Sequence, residues 1–186
     1  MQNFAAEALA ALDFYLESKI MTMKKILLEQ LNIAFDENGW FVALKNGLKN
    51  LTAEQAAWKP DELDNSIWGT LAHLNFYNER YLRRFNGEAV PPATGENSET
   101  FAGGSDDASE SAWQAETENF DRIMSEWRGA IESATEEKLT QPVSAENQSP
   151  WWEVIANINA HNAHHGGQIV VMRKLQGSWD ASKGVS

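Results

Sequence analysis

The chain has 186 residues, a net charge of −12 and no cysteine, a length that suits one domain with a substantial core. The acidity leaves no basic field for nucleic acid or other polyanions, and the missing thiols remove disulfides, thiolate metal sites and cysteine nucleophiles. No run approaches the roughly 18 apolar residues needed to cross a bilayer, and residues 1–20 lack the basic start and apolar block of a secretion signal, so a soluble, cytoplasmic protein without membrane partners is expected.

In chain order, residues 3–20 place Phe4, Ala8, Leu12, Tyr15 and Leu16 at spacings of three and four, the pattern of an amphipathic helix. Met21 and Met23 follow at once and offer alternative starts, so residues 1–21 are set apart as an N-terminal helical extension. From about 23 to 50, Ile26, Ile33, Trp40, Leu44 and Leu48 continue a helical stripe, with a kink expected at Asp36–Gly39. Thr52 and Gln55 have capping-box spacing, but Pro60 limits that stretch to a turn of helix within a loop.

Asn65 or Ser66 then caps a second helix, SIWGTLAHLNFYNERYLRRFNG, which Gly87 ends. Its basic cluster Arg80, Arg83 and Arg84 lies near the carbonyl-rich terminus, where cations are favoured, and is read as a solvated face and not as a phosphate site. Residues 87–108, rich in Gly, Pro, Ser and acidic residues, read as a long surface loop with no packed element. A third helix over about 109–134 carries Trp113, Phe120, Ile123, Trp127 and Ile131 on one face. Ser149 and Pro150 supply an N-cap and a proline at the first helical position of a fourth helix, which Gly177 stops. Four long amphipathic helices without convincing strands predict an all-α four-helix bundle over 22–178, followed by a short tail, 179–186.

Three of the four histidines fall in HNAHH, residues 161–165. At about 100° per residue, His161 and His165 share the apolar stripe of Ile158, Ile169 and Met172, whereas His164 is turned to the flank or to water. Two imidazoles four residues apart on a helix can reach one divalent ion, and His73 on the second helix can supply a third ligand across the bundle. A lone buried histidine is ordinarily hydrogen-bonded core. Two at chelating spacing would be costly to bury without partners, and a metal satisfies both. Three histidines plus an open position is the catalytic type of site, and imidazole ligands favour Zn or Ni. The chain lacks His-Glu-x-x-His and Glu-x-x-His, so the metalloprotease and di-iron readings fail. Gly166 and Gly167 each cost a helix about 1 kcal/mol relative to alanine. Close approach of a neighbour and a local kink are equally open explanations.

LAHLNFYNERYLRRF and HNAHHGGQI, together with LTAEQAAWKP ahead of SIWGTLAHL, resemble the DinB/YfiT-like superfamily over about 22–176. The resemblance implies an up-down-down-up bundle and a metal site formed by His73, His161 and His165, with His164 left out of the ligand set. It also implies metal-dependent enzymes, among them transferases and isomerases that use low-molecular-weight thiols. Gly166 stands where such proteins often carry an arginine, so no role of that arginine transfers.

Two functions are therefore expected. The first is an enzyme, a thiol S-transferase or hydrolase, in which the three-histidine metal activates a thiol or water for a small-molecule substrate. The second is a non-catalytic bundle, metal-stabilised or metal-free, that binds a small molecule or forms a homodimer, with the many aromatic residues and the 3–20 helix as candidate interface; Trp and Phe at helical spacing are more often core. Tyr77 and Asn157, one turn from His73 and His161, are candidates to orient a substrate or a ligand, although packing or solvation is the ordinary use of such positions.

Overall fold

A computed structural model describes residues 22–93, 95–104 and 108–183; the expected helix at 3–20 lies outside them. Seven α-helices occur among the described residues: α1 (Met23–Phe35), α2 (Leu44–Leu48), α3 (Ala53–Ala57), α4 (Ile67–Phe85), α5 (Glu110–Ser133), α6 (Glu136–Thr140) and α7 (Trp151–Leu175). Short 3-10 helices at Asn97–Phe101 and Ala181–Lys183 complete the order, and no strand forms among the described residues. The chain is thus all-α, and none of these helices is long and apolar enough to cross a membrane.

The long helices start where side chains replace missing backbone partners. Thr22, Ser66 and Ser109 accept from the backbone N–H groups of Lys25, Gly69 and Ala112. Thr52 and Gln55 form the expected capping box ahead of α3. Gly87 and Gly177 both adopt positive φ just after α4 and α7, the conformation that lets a glycine end a helix. The cap of α7 is Pro150 and not Ser149, so the helix begins one residue later than its sequence suggests.

Helices α1, α4, α5 and α7 surround the core, and polar ties record how they run. Lys24 at the start of α1 donates to the carbonyls of Glu132 and Ala134 at the end of α5, while Arg128 reaches Asn32 and Asp36 at the other end of α1; these two helices run in opposite senses. Asn75 bonds Glu116 and Glu79 bonds Arg122, so α4 and α5 run in the same sense. Asn78 pairs with Asn162 while Phe85 packs edge-on against Trp151, so α4 and α7 run in opposite senses. Between them lie Leu31, Phe35, Ile67, Leu71, Leu74, Phe120, Ile123, Trp127, Ile131 and Ile169, all almost wholly buried. The expected apolar face of α5 is buried at every named position.

Two expectations fail. The stripe over 23–50 is not one helix: α1 ends at Phe35, and Asp36 begins a turn in which Asn38 Oδ1 accepts from Ala43 N–H and from the Asn46 amide. Its buried face is Leu27, Leu31, Ala34 and Phe35, whereas Ile26 is 47% exposed and Trp40 fully exposed. In the sequence, Ile26 and Trp40 share a helical period with Ile33 and Leu44, but hydrophobicity alone does not tell which of two offset stripes faces inward. The second failure is the 87–108 loop. Its middle packs closely on α4: a Cβ at Gly103 would lie 2.7 Å from Ala72 Cβ, and one at Gly104, whose φ is +77°, would lie 2.8 Å from the Trp68 ring. Glycine here is a means of close approach and not a sign of unpacked chain.

Candidate metal centre

Helices α4 and α7 bring three of the four histidines together. His73 is 4% exposed and His165 is 8% exposed, while His161 is half-buried. One ring nitrogen from each lies within 4.8 Å of the other two. The Nε2 atom of His161 is 3.1 Å from that of His73 and 3.0 Å from that of His165. His164 is exposed and outside this group; its ring lies edge-on to His165 at 5.2 Å between centroids, and its Nε2 is 3.2 Å from the Gln168 amide nitrogen. The helical spacing therefore picked out the same three residues that the fold assembles.

Hydrogen bonds on the far sides of two rings set their tautomers. The Thr100 hydroxyl lies 2.6 Å from the Asn97 carbonyl and 2.7 Å from His73 Nδ1; with its one proton given to the carbonyl, it accepts from the imidazole. That arrangement matches a His73 proton on Nδ1 and a bare Nε2. His165 Nδ1 lies 2.6 Å from Gln168 Oε1, a pairing that matches a proton on Nδ1 of His165. With both Nδ1 atoms protonated, two bare Nε2 atoms face His161 Nε2, which has at most one proton and can satisfy only one of them. One close pair of lone pairs is left facing, unless a cation sits among them.

The electrostatics agree. Burial, then the nearby His165 and His161, lowers His73 from 6.5 to about 4. Burial, then His165 and His164, lowers His161 to about 4. Burial also lowers His165, against the bond to Gln168. At neutral pH all three imidazoles are uncharged, the form that ligates metal.

The divalent-metal expectation meets this donor set well. Nitrogen ligands about 2.0–2.1 Å from a tetrahedral ion lie about 3.3 Å apart, close to the 3.0–3.1 Å separations here. The three histidines supply three positions, and beside them opens a cavity of about 700 Å³ between α4 and α7. Tyr77, Tyr81, Asn157 and Ile158 line its walls. The turn at 142–150, closed by the backbone bonds of Val143 with Ser149 and of Trp151 with Gln141, brings Asn147 and Ser149 to its rim. Asn157 is exposed and lines the cavity, and Tyr77 donates to Asn97 Oδ1 at 2.9 Å while its ring packs edge-on against His73.

Sequence reading missed the 3-10 helix Asn97–Phe101. Thr100 holds one face of the site through His73, and the Phe101 ring stacks on the His73 imidazole at 3.9 Å between centroids. The signal was present in three glycines: Gly69, where a Cβ would lie 2.5 Å from the Phe101 carbonyl oxygen, and Gly103–Gly104 against Trp68. The basic cluster takes no part in the site. Arg80 donates to the Pro91 carbonyl, Arg83 pairs with Glu88 at 2.8 Å, and Arg84 lies over the Tyr81 ring.

The glycines after the histidines do not kink α7, which runs unbroken through them. Gly166 is buried against Leu44 of α2, with ordinary contact distance for an added Cβ, and Gly167 meets nothing within 4 Å.

No curated protein and no solved structure matches the chain. The family model of the DinB superfamily matches residues 42–169, a narrower span than the sequence likeness suggested but one that contains α4, α5, all four histidines and the segment that buttresses His73. With more than half of its length matched and its three inward histidines drawn from the two matched helices α4 and α7, the chain belongs to the DinB superfamily.

Proposed function

We propose that the protein is a divalent-metal-dependent enzyme of the thiol S-transferase or hydrolase type, with His73, His161 and His165 as the metal ligands. One observation carries the reading: three imidazoles converge, with His161 Nε2 3.0–3.1 Å from the Nε2 atoms of both others, next to an open cavity. A structural site closes four protein ligands around the ion, whereas this arrangement leaves a position toward the cavity. Zn or Ni suits three imidazoles.

When bound, such a cation supplies the acidity that turns a thiol or water into a nucleophile near neutral pH. The chain's own contribution is positional. Thr100 and Gln168 keep the Nδ1 protons of His73 and His165 turned outward, so that both Nε2 lone pairs face one point. Phe101 and Tyr77 flank His73 and reduce the water around it. Tyr81, Asn157 and the 147–149 rim offer a mixed aromatic and amide wall to a small molecule. A thiol co-substrate fits a chain that has no cysteine of its own.

The test is turnover of a panel of electrophiles with low-molecular-weight thiols, and of esters and amides with water, by protein purified without an affinity tag. Turnover that chelation abolishes and that His165→Ala loses is the expected result. Metal-loaded protein inactive across the whole panel would favour the non-catalytic binding bundle instead.

A further inference from the structure

The segment between α4 and α5 is built as part of the metal site, and one residue in it acts on a ligand. Thr100 sits in the 3-10 helix Asn97–Phe101, anchored on both sides. Its hydroxyl proton goes to the Asn97 carbonyl at 2.6 Å, and the Asn97 side chain accepts from Tyr77, one turn along α4 from His73. Phe101 lies parallel to the His73 ring, with 15° between planes. Gly69 admits the Phe101 carbonyl where any side chain would collide with it, and Gly103 and Gly104 do the same against Ala72 and Trp68. The segment thus holds the Thr100 oxygen at a fixed place, 2.7 Å from His73 Nδ1.

A hydroxyl has one proton. Because the carbonyl takes it, the oxygen presents only lone pairs to the imidazole, and the neutral ring is driven into the Nδ1–H form with Nε2 bare. Without that acceptor the ring has reason to reverse, since an Nε2–H could donate to His161 Nε2, 3.1 Å away. A reversed ring cannot ligate through Nε2.

We propose that Thr100 is a positioning residue for His73, selecting the tautomer that exposes Nε2 to the metal, and that the 97–104 segment exists in its docked form to hold that hydroxyl. The proposal rests on the metal reading above for its purpose, but the tautomer it assigns belongs to the metal-free chain.

The experiment compares full-length wild type, Thr100→Val and Thr100→Ser in two ways. Cobalt(II) affinity of each metal-free protein is measured from ligand-field absorption in competition with a chelator. Imidazole tautomers of the same metal-free proteins are read from long-range proton–nitrogen NMR correlations. Thr100→Val is expected to weaken cobalt binding about 10–100-fold and to lose the Nδ1–H signature of His73. Thr100→Ser keeps the acceptor and is expected to restore both, which separates the hydroxyl's role from mere folding of the segment. Equal cobalt affinity in wild type and Thr100→Val, a serine variant as weak as valine, or a wild-type His73 protonated on Nε2 would each overturn the proposal. If wild type itself binds no cobalt, the metal reading falls, and the tautomer comparison alone still decides for or against Thr100.

Discussion

Acidifying the metal-free protein from pH 7 to pH 5 is expected to cost it stability through its buried imidazoles. An unfolded chain protonates its histidines near 6.5, whereas in the fold His73 and His161 take up protons only near 4. Between those values the unfolded state binds more protons, so stability falls as the pH drops below about 6.5 and goes on falling until about 4; above 6.5 these groups contribute no pH dependence. For His73 a displacement from 6.5 to about 4 amounts to about 2 kcal/mol at pH 5 relative to neutral pH. His161 is less buried and adds less than the same amount. The assay is urea unfolding of chelator-treated protein at pH 7, 6 and 5, with His73→Gln in parallel. Glutamine does not titrate, so the variant should lose about 2 kcal/mol less than wild type over that interval, whatever the carboxylates contribute to both. Parallel loss in the two proteins would refute the claim that His73 is held neutral by its surroundings.

Three further outcomes follow from the geometry. Gly167→Ala should raise stability by about 0.5–1 kcal/mol in urea unfolding, because the position is helical and an added Cβ meets nothing within 4 Å. At Gly69, one turn before His73, an alanine Cβ would lie 2.5 Å from the Phe101 carbonyl oxygen; Gly69→Ala should undock the 97–104 segment and weaken cobalt affinity about tenfold or more, measured by chelator competition. His164→Ala should leave metal stoichiometry unchanged in elemental analysis, since its ring, although edge-on to His165, lies outside the group of three converging nitrogens and its Nε2 is taken up by Gln168.

Much of the site was legible because helices are periodic. The four-residue spacing of His161 and His165 places both rings on one face whatever surrounds the helix, and their apolar neighbours Ile158 and Ile169 say which face it is. His73 was accessible by the same logic, one element away. The α5 stripe from Trp113 to Ile131 was read in the same manner and is buried throughout. Periodicity failed where burial depends on distant chain. In α1, two offset apolar stripes compete, and the inward one is chosen by Asn159 bonding the Leu27 carbonyl and by Phe120 packing on Phe35. Neither partner lies near in sequence. The 95–104 segment was unreadable for a different reason: its glycines and acidic residues look like loop, and only the facing surface of Trp68, Ala72 and Gly69 reveals that the glycines are there for contact. Arg173 makes the same point at the far end of α7. It is buried and donates to the carbonyls of Gly47, Lys49 and Ser178, with Trp179 over its guanidinium, a use that a basic residue in a last helical turn does not announce.

Metal uptake by the tag-free protein decides whether His73, His161 and His165 together hold one divalent ion. Titration of metal-free wild type with Zn, Ni or Co, followed by gel filtration and elemental analysis, should give one tightly held ion per chain, with His73→Ala, His161→Ala and His165→Ala each losing it and His164→Ala keeping it. Wild type that retains no metal at neutral pH, or alanine variants of the three histidines that retain as much as wild type, would show that these residues are not a metal site.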